Sequence, residues 1–585
     1  MYRIQELLIE NIDLWSKADA LKFVGSGRNS ASSAHIYGVE KLRRLILRLA
    51  INGKLLEQNS GDKPTSTLLK EIDAYVSEAV HEKLIRKPKL YLPVDSTEMT
   101  SSIPSGWAWL RLGQIGDWGA GATPLRSMPN YYGGNVPWFK SGELSSDFIN
   151  VSEETITELA LEKCSLRMNN PGDVLLAMYG ATIGKASILE VAGTTNQAVC
   201  ACTPYPGIFN RYLLLLLKAL RPYFIGQGAG GAQPNISREK IIDTPVLIPP
   251  TEEQIRIVDK VSELMLLCDQ LESLTFSESK HHERIVYSML NSLTRSSNVD
   301  DRNLKWRSVN ENFDNLFTSI KSIEALKESL SELAIMGMLT SKNNSDQPVD
   351  ELLENISKER EDFLTKRRAA GGQNPRVTKH DACQLPLPKG WRWTTLGELS
   401  LFITDGTHHT PTYISSGIPF ISIKDINGTE ISFKDCKYIS HQQHVEINKR
   451  CNPELGDILL CRIGTLGRPT IVNISNPFSL FVSVGLIKLP KSVDITRYLH
   501  LVLGSPFLIR QYDQIKAGGI HTNKLNLADI PKLLIPLPPI QEQRRILEKF
   551  DELMAITQEL RSHINSANDV RLKIADALVD QALLK

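Results

Sequence analysis

Five sets of residues are of types that chemistry uses, and spacing decides what each can do. Gly180-Ala-Thr-Ile-Gly184-Lys185-Ala186 is similar to a phosphate loop, in which backbone N–H groups cradle a polyphosphate. Its glycines stand one residue too close, and no Ser or Thr follows the lysine to hold a metal ion. Asn476-Pro477-Phe478 has one proline where an N-P-P-F motif has two, and no F-x-G-x-G loop precedes it, so it reads as a turn. His408-His409 and His441-x-x-His444 offer imidazoles without a cysteine or carboxylate at metal-ligand spacing, which favours solvated or ligand-facing histidines over a metal site. Glu252-Glu253 and Glu542 stand in the first turns of expected helices, where carboxylates complement the helix dipole, so they read as structural acids. The eight cysteines include no C-x-x-C and only one close spacing, Cys200-x-Cys202, as expected of reduced, mostly buried thiols rather than a disulfide frame or a zinc cage.

The elements around these residues are organised by a repeat. Shifting the chain by 284 places Pro104-Ser-Gly-Trp107-Ala-Trp109 on Pro388-Lys-Gly-Trp391-Arg-Trp393, and Gly172-Asp-Val-Leu-Leu176 on Gly456-Asp-Ile-Leu-Leu460. Small insertions then widen the shift: Arg211-Tyr-Leu213 meets Arg497-Tyr-Leu499, and Ile248-Pro-Pro with Glu253-Gln254 and Arg256-Ile257 meets Leu537-Pro-Pro with Glu542-Gln543 and Arg545-Ile546. The chain of 585 residues is long enough for three or four domains, and its net charge of +1 gives no global signature of a protein that coats nucleic acid unaided. No apolar run is long enough to span a bilayer and the first residues lack a signal-peptide core, so a cytoplasmic location is expected.

All 30 prolines fall between Pro64 and Pro250 or between Pro348 and Pro539, which leaves room for long helices elsewhere. After each double proline, Ile257, Val261, Leu264, Cys268 and Leu271, and likewise Ile546, Phe550, Leu553, Thr557 and Leu560, step by 4, 3, 4 and 3, a coiled-coil seam. Helices of about 30 residues, about 45 Å long, are expected, pairing antiparallel through Ile257, Val261, Leu264 and Leu271 against Ile546, Phe550, Leu553 and Leu560. The proline-bearing windows hold short β-prone runs bounded by Gly, Pro, Asn or Asp, and the polar stretch between Ser277 and Phe317 reads as a linker. Glycine runs from Gly226 to Gly231 and at Gly518-Gly519 precede Asn235 and Asn523, and suit either a close approach to a ligand or a plain connection.

The twice-occurring order G-W-x-W, L-G, G-D-[VI]-L-L, R-Y-L and [IL]-P-P-x-x-E-Q-x-R-I, each time opening a long helix, resembles the specificity (S) subunit of type I restriction-modification enzymes. The length and the helical region before the first recognition domain are most similar to the longer, type IB branch. The resemblance implies an α+β, internally duplicated fold, with two mixed α/β target recognition domains separated by two long antiparallel coiled-coil helices in pseudo-twofold symmetry. Its parts would be an N-terminal helical region 1–103, a first recognition domain 104–250 and a central spacer helix 251–295. A linker with a second helical region 296–385, a second recognition domain 386–539 and a C-terminal spacer helix 540–585 would follow. It implies a non-catalytic subunit that reads a bipartite, asymmetric double-stranded DNA target. Two adenine methyltransferase (M) and two motor nuclease (R) subunits would assemble on it, with AdoMet, ATP and Mg2+ on those partners and none on this chain.

Two domains reading different half-sites should differ where they touch bases, which selects Arg126, Tyr131, Lys140, Asn196, Gln197 and Asn235 in the first window. In the second it selects His408, His409, Lys424, Arg462 and Asn523. Residues 104–250 carry no net charge and 386–538 carry +5, so the first domain would depend on its M neighbour for phosphate affinity. The rival readings are a fused DNA methyltransferase with its own recognition domains, which lacks the needed motifs, and a coiled-coil scaffold with ligand-binding lobes.

Overall fold

The computed structural model describes residues 10–17, 35–99, 102–228, 234–296, 299–341, 343–369, 387–518 and 523–584. Gly230, Gly231, Gly519, Ser297-Asn298 and Cys383 lie outside the described residues. The chain divides into two compact units, residues 1–278 with 567–585, and residues 279–566.

In the first unit, β1 (Ala108–Arg111) pairs antiparallel with β10 (Pro245–Ile248), so the two ends of the recognition window are tied together. Between them run β2 (Gly116–Ala120), β3 (Tyr132–Phe139), β4 (Phe148–Ile149), β5 (Glu154–Ile156), β6 (Val174–Ala177), β7 (Ala186–Leu189), β8 (Thr194–Thr195) and β9 (Val199–Pro204). They form a five-stranded sheet of order β2-β9-β6-β7-β4 and a three-stranded sheet of order β5-β3-β8. Val174, Leu176, Cys200 and Cys202 enter the main core with helix Asn210–Ala219, while Leu175, Ala177, Val199 and Ala201 pack on Phe139 and Leu144. Both faces of the sheet are thus covered, which is why β6 is apolar without alternation.

The second unit repeats this plan with β11 (Arg392–Thr395), β12 (Phe402–Asp405), β13 (Ile418–Ile421), β14 (Lys437–Ile439), β15 (Ile458–Cys461), β16 (Gly467–Ile471), β17 (Ser479–Leu480), β18 (Val484–Lys488) and β19 (Leu534–Leu537). β11 pairs with β19, β12-β18-β15-β16 form the larger sheet, and β14-β13-β17 the smaller. Ile458, Leu460 and Ile487 face one core, and Leu459, Cys461, Val484 and Leu486 face another.

The repeated motifs hold each window to its long helix. Trp107 Nε1–H donates to Glu253 Oε2 at 2.9 Å, and Trp391 Nε1–H to Glu542 Oε2 at 3.0 Å, in both cases buried. Arg256 pairs with Asp62 as Arg545 does with Asp346. Gln254 and Gln543 donate to the carbonyls of Pro249 and Pro538. The hydroxyls of Tyr212 and Tyr498 donate to the carbonyls of Leu247 and Pro536. In the G-D motif the glycines take φ of +99° at Gly172 and +89° at Gly456, and the aspartates Asp173 and Asp457 accept from the N–H of Asn170 and Glu454 to close the turn. The acids at positions 253 and 542 are therefore structural, though they act as buried indole acceptors rather than as dipole complements at a solvated helix end. Burial pushes both carboxyls above the ordinary carboxylate range, and the indole pulls them back.

Three expectations need correction. The long helices are Thr251–Thr294 and Ile540–Leu584, of 44 and 45 residues, so each is about 66 Å long rather than about 45 Å. The polar stretch from Ser277 is no linker at its start, since the first long helix runs through it to Thr294 and a helix Val299–Glu311 follows. Polarity there marks a solvated helix surface, with residues 273–281 almost wholly exposed.

The seam residues also have other partners than those expected. Ile257, Val261, Leu264 and Cys268 lie in one cluster with helix Tyr37–Ile51 and with Ala575, Val579 and Ala582 from the far end of the second long helix, and Leu271 packs against it. Ile546 belongs to the core of the second unit. Phe550, Leu553 and Leu560 pack against Val286, Leu290 and helix Ile320–Ile335. Antiparallel helices oppose the start of one to the end of the other, so the two equivalent seams cannot face each other. Ion pairs of Arg43 with Asp269 and Glu272, and of Lys41 with Asp576, add the third helix to the first unit, as Lys321–Glu283 and Arg561–Glu324 do in the second.

Candidate nucleic-acid interface

In each unit the larger sheet presents one strand-end edge, and most of the residues selected from the sequence gather there or on the adjoining small sheet. In the first unit this edge comprises the ends of β2 and β6 and the start of β9, since Ala120 is opposite Cys200 and Ala177 opposite Val199. The Met178 N–H donates to the Ala198 carbonyl, and its own carbonyl accepts from Ile236 N–H, which brings the loops bearing Gln197 and Asn235 to one place. Asn196 is fastened by its own N–H to the Phe139 carbonyl and by Oδ1 to Ala198 N–H, and Gln197, exposed, bonds the Thr123 hydroxyl. Gly121 makes this possible, because a Cβ there would stand 2.2 Å from the Thr195 carbonyl oxygen. Gly406 meets the Leu480 carbonyl in the same way at 2.0 Å, which aligns Ala120 with Asp405.

Arg126, Tyr131 and Lys140 belong to the small sheet. The Arg126 guanidinium pairs with Glu154 at 2.6 Å and lies over the rings of Tyr132 and Trp138, 4.6 and 5.1 Å from their centroids. Lys140 reaches Glu153 at 2.7 Å and Glu154 at 3.2 Å. Arg126 first, then Lys140, hold the Glu154 carboxyl below its usual range. Both cations thus carry an acidic partner. Tyr131 ends the turn Pro129–Tyr131 and packs partly against the Trp138–Ile156 cluster.

In the second unit His408 and His409 follow Gly406 on the corresponding edge, and the Asn523 carbonyl accepts from Gly464 N–H beside it. Lys424 lies in the turn Ile423–Asp425 after β13 and donates to the Asp435 carbonyl at 2.7 Å. Arg462 does not fit a role as a base reader. It is 3% exposed, paired with Asp405, and donates to the carbonyls of Val482 and Leu525, each at 3.1 Å. Desolvation, partly offset by Asp405, lowers its pKa.

Residue type alone does not reveal this, because Asp405 and Arg462 are 57 positions apart and meet only across β18. Asp405 and Arg450 were missed altogether; the one available signal was an aspartate in the second copy where the first has Ala120.

The motifs with catalytic outlines are absorbed by the fold. Gly180–Thr182 is the turn of the β6-β7 hairpin, closed by Gly184 N–H to the Ala177 carbonyl. Phe478 is buried against Phe433. Against the expectation of a solvated or ligand-facing ring, His444, in helix His441–Asn448, is buried on Ser479 Oγ at 2.9 Å.

A family model described as the type I restriction modification DNA specificity domain matches residues 104–276 and again 388–567, one window in each copy of this fold with the helix that follows it. The chain belongs to this family. It is 29% identical to the type I restriction enzyme EcoAI specificity subunit of Escherichia coli over 601 residues, covering 99% of this chain and 100% of that one. To the EcoEI specificity subunit of the same organism it is 28% identical over 610 residues, covering 99% and 100%. In structure it is similar to the HsdS subunit of Thermoanaerobacter tengcongensis, at 18% identity and a TM-score of 0.37, covering 83% and 99%. As a type I specificity subunit the protein confers DNA sequence specificity on a restriction-modification system and has no catalytic role of its own; the fused-methyltransferase and scaffold readings are not favoured. It works with DNA and with the other subunits of that system.

Proposed function

We propose that the two units each read one half of a split, asymmetric DNA target, that the long helices set the gap between the halves, and that two M and two R subunits assemble on the chain. The observation that carries this reading is that the two copies share the lock of Trp, Glu, Arg, Asp and Gln yet differ at the strand-end edge, where Ala120 and Met178 correspond to Asp405 and Arg462. Common residues hold the fold, and divergent ones shape each edge for different bases. AdoMet, ATP and Mg2+ act on the partner subunits, and the complex works in the cytoplasm. Among the described residues no helix is long and apolar enough to cross a membrane.

The test is to assemble the chain with its M subunits and map the adenines methylated in plasmid DNA, with AdoMet binding measured on the chain alone. The expected result is two short defined sequences separated by a fixed undefined gap, with no AdoMet bound to the isolated chain. A single continuous motif overturns the split target, and AdoMet bound to the isolated chain overturns the assignment of cofactors to the partners.

A further inference from the structure

Asp405 closes β12 with its side chain 1% exposed, and three cationic or ionisable groups converge on it. One oxygen, Oδ2, accepts from the buried Arg462 and lies 3.0 Å from His408 Nε2. The other, Oδ1, accepts from Arg450, which follows helix His441–Asn448 and is half-exposed at 49%. The Arg450 guanidinium is also 3.5 Å from His408 Nε2. One carboxylate therefore faces two permanent cations, and Arg462 is already committed to two backbone carbonyls besides. The excess positive charge is presented outward through Arg450, at the edge where His408 and Asn523 stand.

We propose that Arg450 is a specificity-determining residue of the second unit, donating to the paired acceptors of a guanine in the major groove, with Asp405 and Arg462 as the residues that position it. This rests on the reading of the second unit as a DNA recognition domain. A phosphate contact needs only a charge within reach, and a mobile side chain serves. Anchoring Nη2 on a buried carboxylate restricts the rotamers of Arg450 and the directions its fork can take. That matters where two parallel donors must meet two acceptors at set positions, as at guanine O6 and N7. Arg462 holds the anchor in turn, since its contacts to Val482 and Leu525 seat it between the turn leading into β18 and the segment after Asn523. The first unit, with Ala120 and Met178 at the corresponding places, has no such clamp, as expected if it reads a different half-site.

The experiment uses the full chain assembled with its M subunits, a pooled DNA library with a randomised window, and sequencing of the methylated adenines. Arg450→Ala should leave the half-site of the first unit intact and relax one guanine position of the second, by about 10-fold to 100-fold in preference. Arg450→Lys should not restore that preference, because an ammonium cannot form the planar pair. Asp405→Asn should loosen the same position, and if that variant fails to fold the two Arg450 variants decide alone. An unchanged motif in Arg450→Ala, or a uniform loss at every position as for a phosphate contact, overturns the proposal. A wild-type complex that yields no motif overturns instead the DNA-recognition reading on which it rests.

Discussion

Replacing Trp107 by Phe tests the lock between the first window and its helix. The phenyl ring keeps most of the packing of a side chain that is 6% exposed, but the Nε1–H that reaches Glu253 Oε2 at 2.9 Å is gone. A hydrogen bond to a buried charged acceptor contributes about 1.5–3 kcal/mol, and the lost ring volume adds about 1 kcal/mol. A cost of about 3 kcal/mol follows, which at about 2–4 °C per kcal/mol for a unit of this size lowers its melting temperature by about 6–12 °C.

Most of that cost is the stranded carboxylate of Glu253, which retains a Gln58 contact at 3.4 Å. Adding Glu253→Gln in the Trp107→Phe background should therefore recover about 1–2 kcal/mol, because orphaning a neutral amide is cheaper than orphaning a charge. The pH dependence has a definite sign. Burial raises the folded-state value of Glu253 above its ordinary 4.5, so the stability this group allows is complete below that value and is lost as pH rises through the folded value. Loss of the indole donor raises it further, so the defect of Trp107→Phe should be largest at neutral pH and shrink toward pH 4.5. Calorimetry of the full chain, comparing the two single variants and the double variant at both pH values, measures this. Strict additivity, or a defect independent of pH, refutes the reasoning.

Asp346→Asn breaks the equivalent ion pair of the second unit; because Arg545 holds the Asp346 carboxyl below its ordinary 3.8, the pair contributes above that pH and fades below it, so wild type and variant should converge in acid when melted across a pH series. Glu154→Gln removes one acid from a patch in which Arg126 and Lys140 meet Glu143, Glu153 and Glu154, and should tighten DNA binding of the assembled complex several-fold at low salt, a gain lost at high salt in an anisotropy titration. Inserting four residues in both long helices, within the exposed stretches near Ser277 and near Ser566, adds about 6 Å, or about two base pairs; methylation mapping should show unchanged half-sites and a longer gap, and an unchanged gap with full activity excludes the ruler.

What the sequence determined by itself was everything that depends on local order. The repeat, the two long helices after Pro249-Pro250 and Pro538-Pro539, and the family resemblance were legible because each rests on residues close together in the chain or on the recurrence of one pattern. The strands β6 and β15 could be placed as apolar runs, since a sheet covered on both faces leaves a continuous signature. Helix length was underestimated because the seam stops before the helix does: Ser277 to His281 are polar yet helical, held within one long helix whose two ends are packed.

Tertiary structure alone decided partners. The 3.5-residue period shows that Ile257 and Leu264 face something apolar, but carries no information on what, and they meet helix Tyr37–Ile51 and the Ala575–Ala582 face. Divergence between the copies marks Arg462 as a base reader, since the first copy has Met178 at that place. Asp405, brought across β18 from 57 residues away, makes burial of that charge tolerable and turns it into a support for Arg450. Whether a charged side chain faces DNA or the core depends on the distant residue that neutralises it, and chain order does not specify that distance.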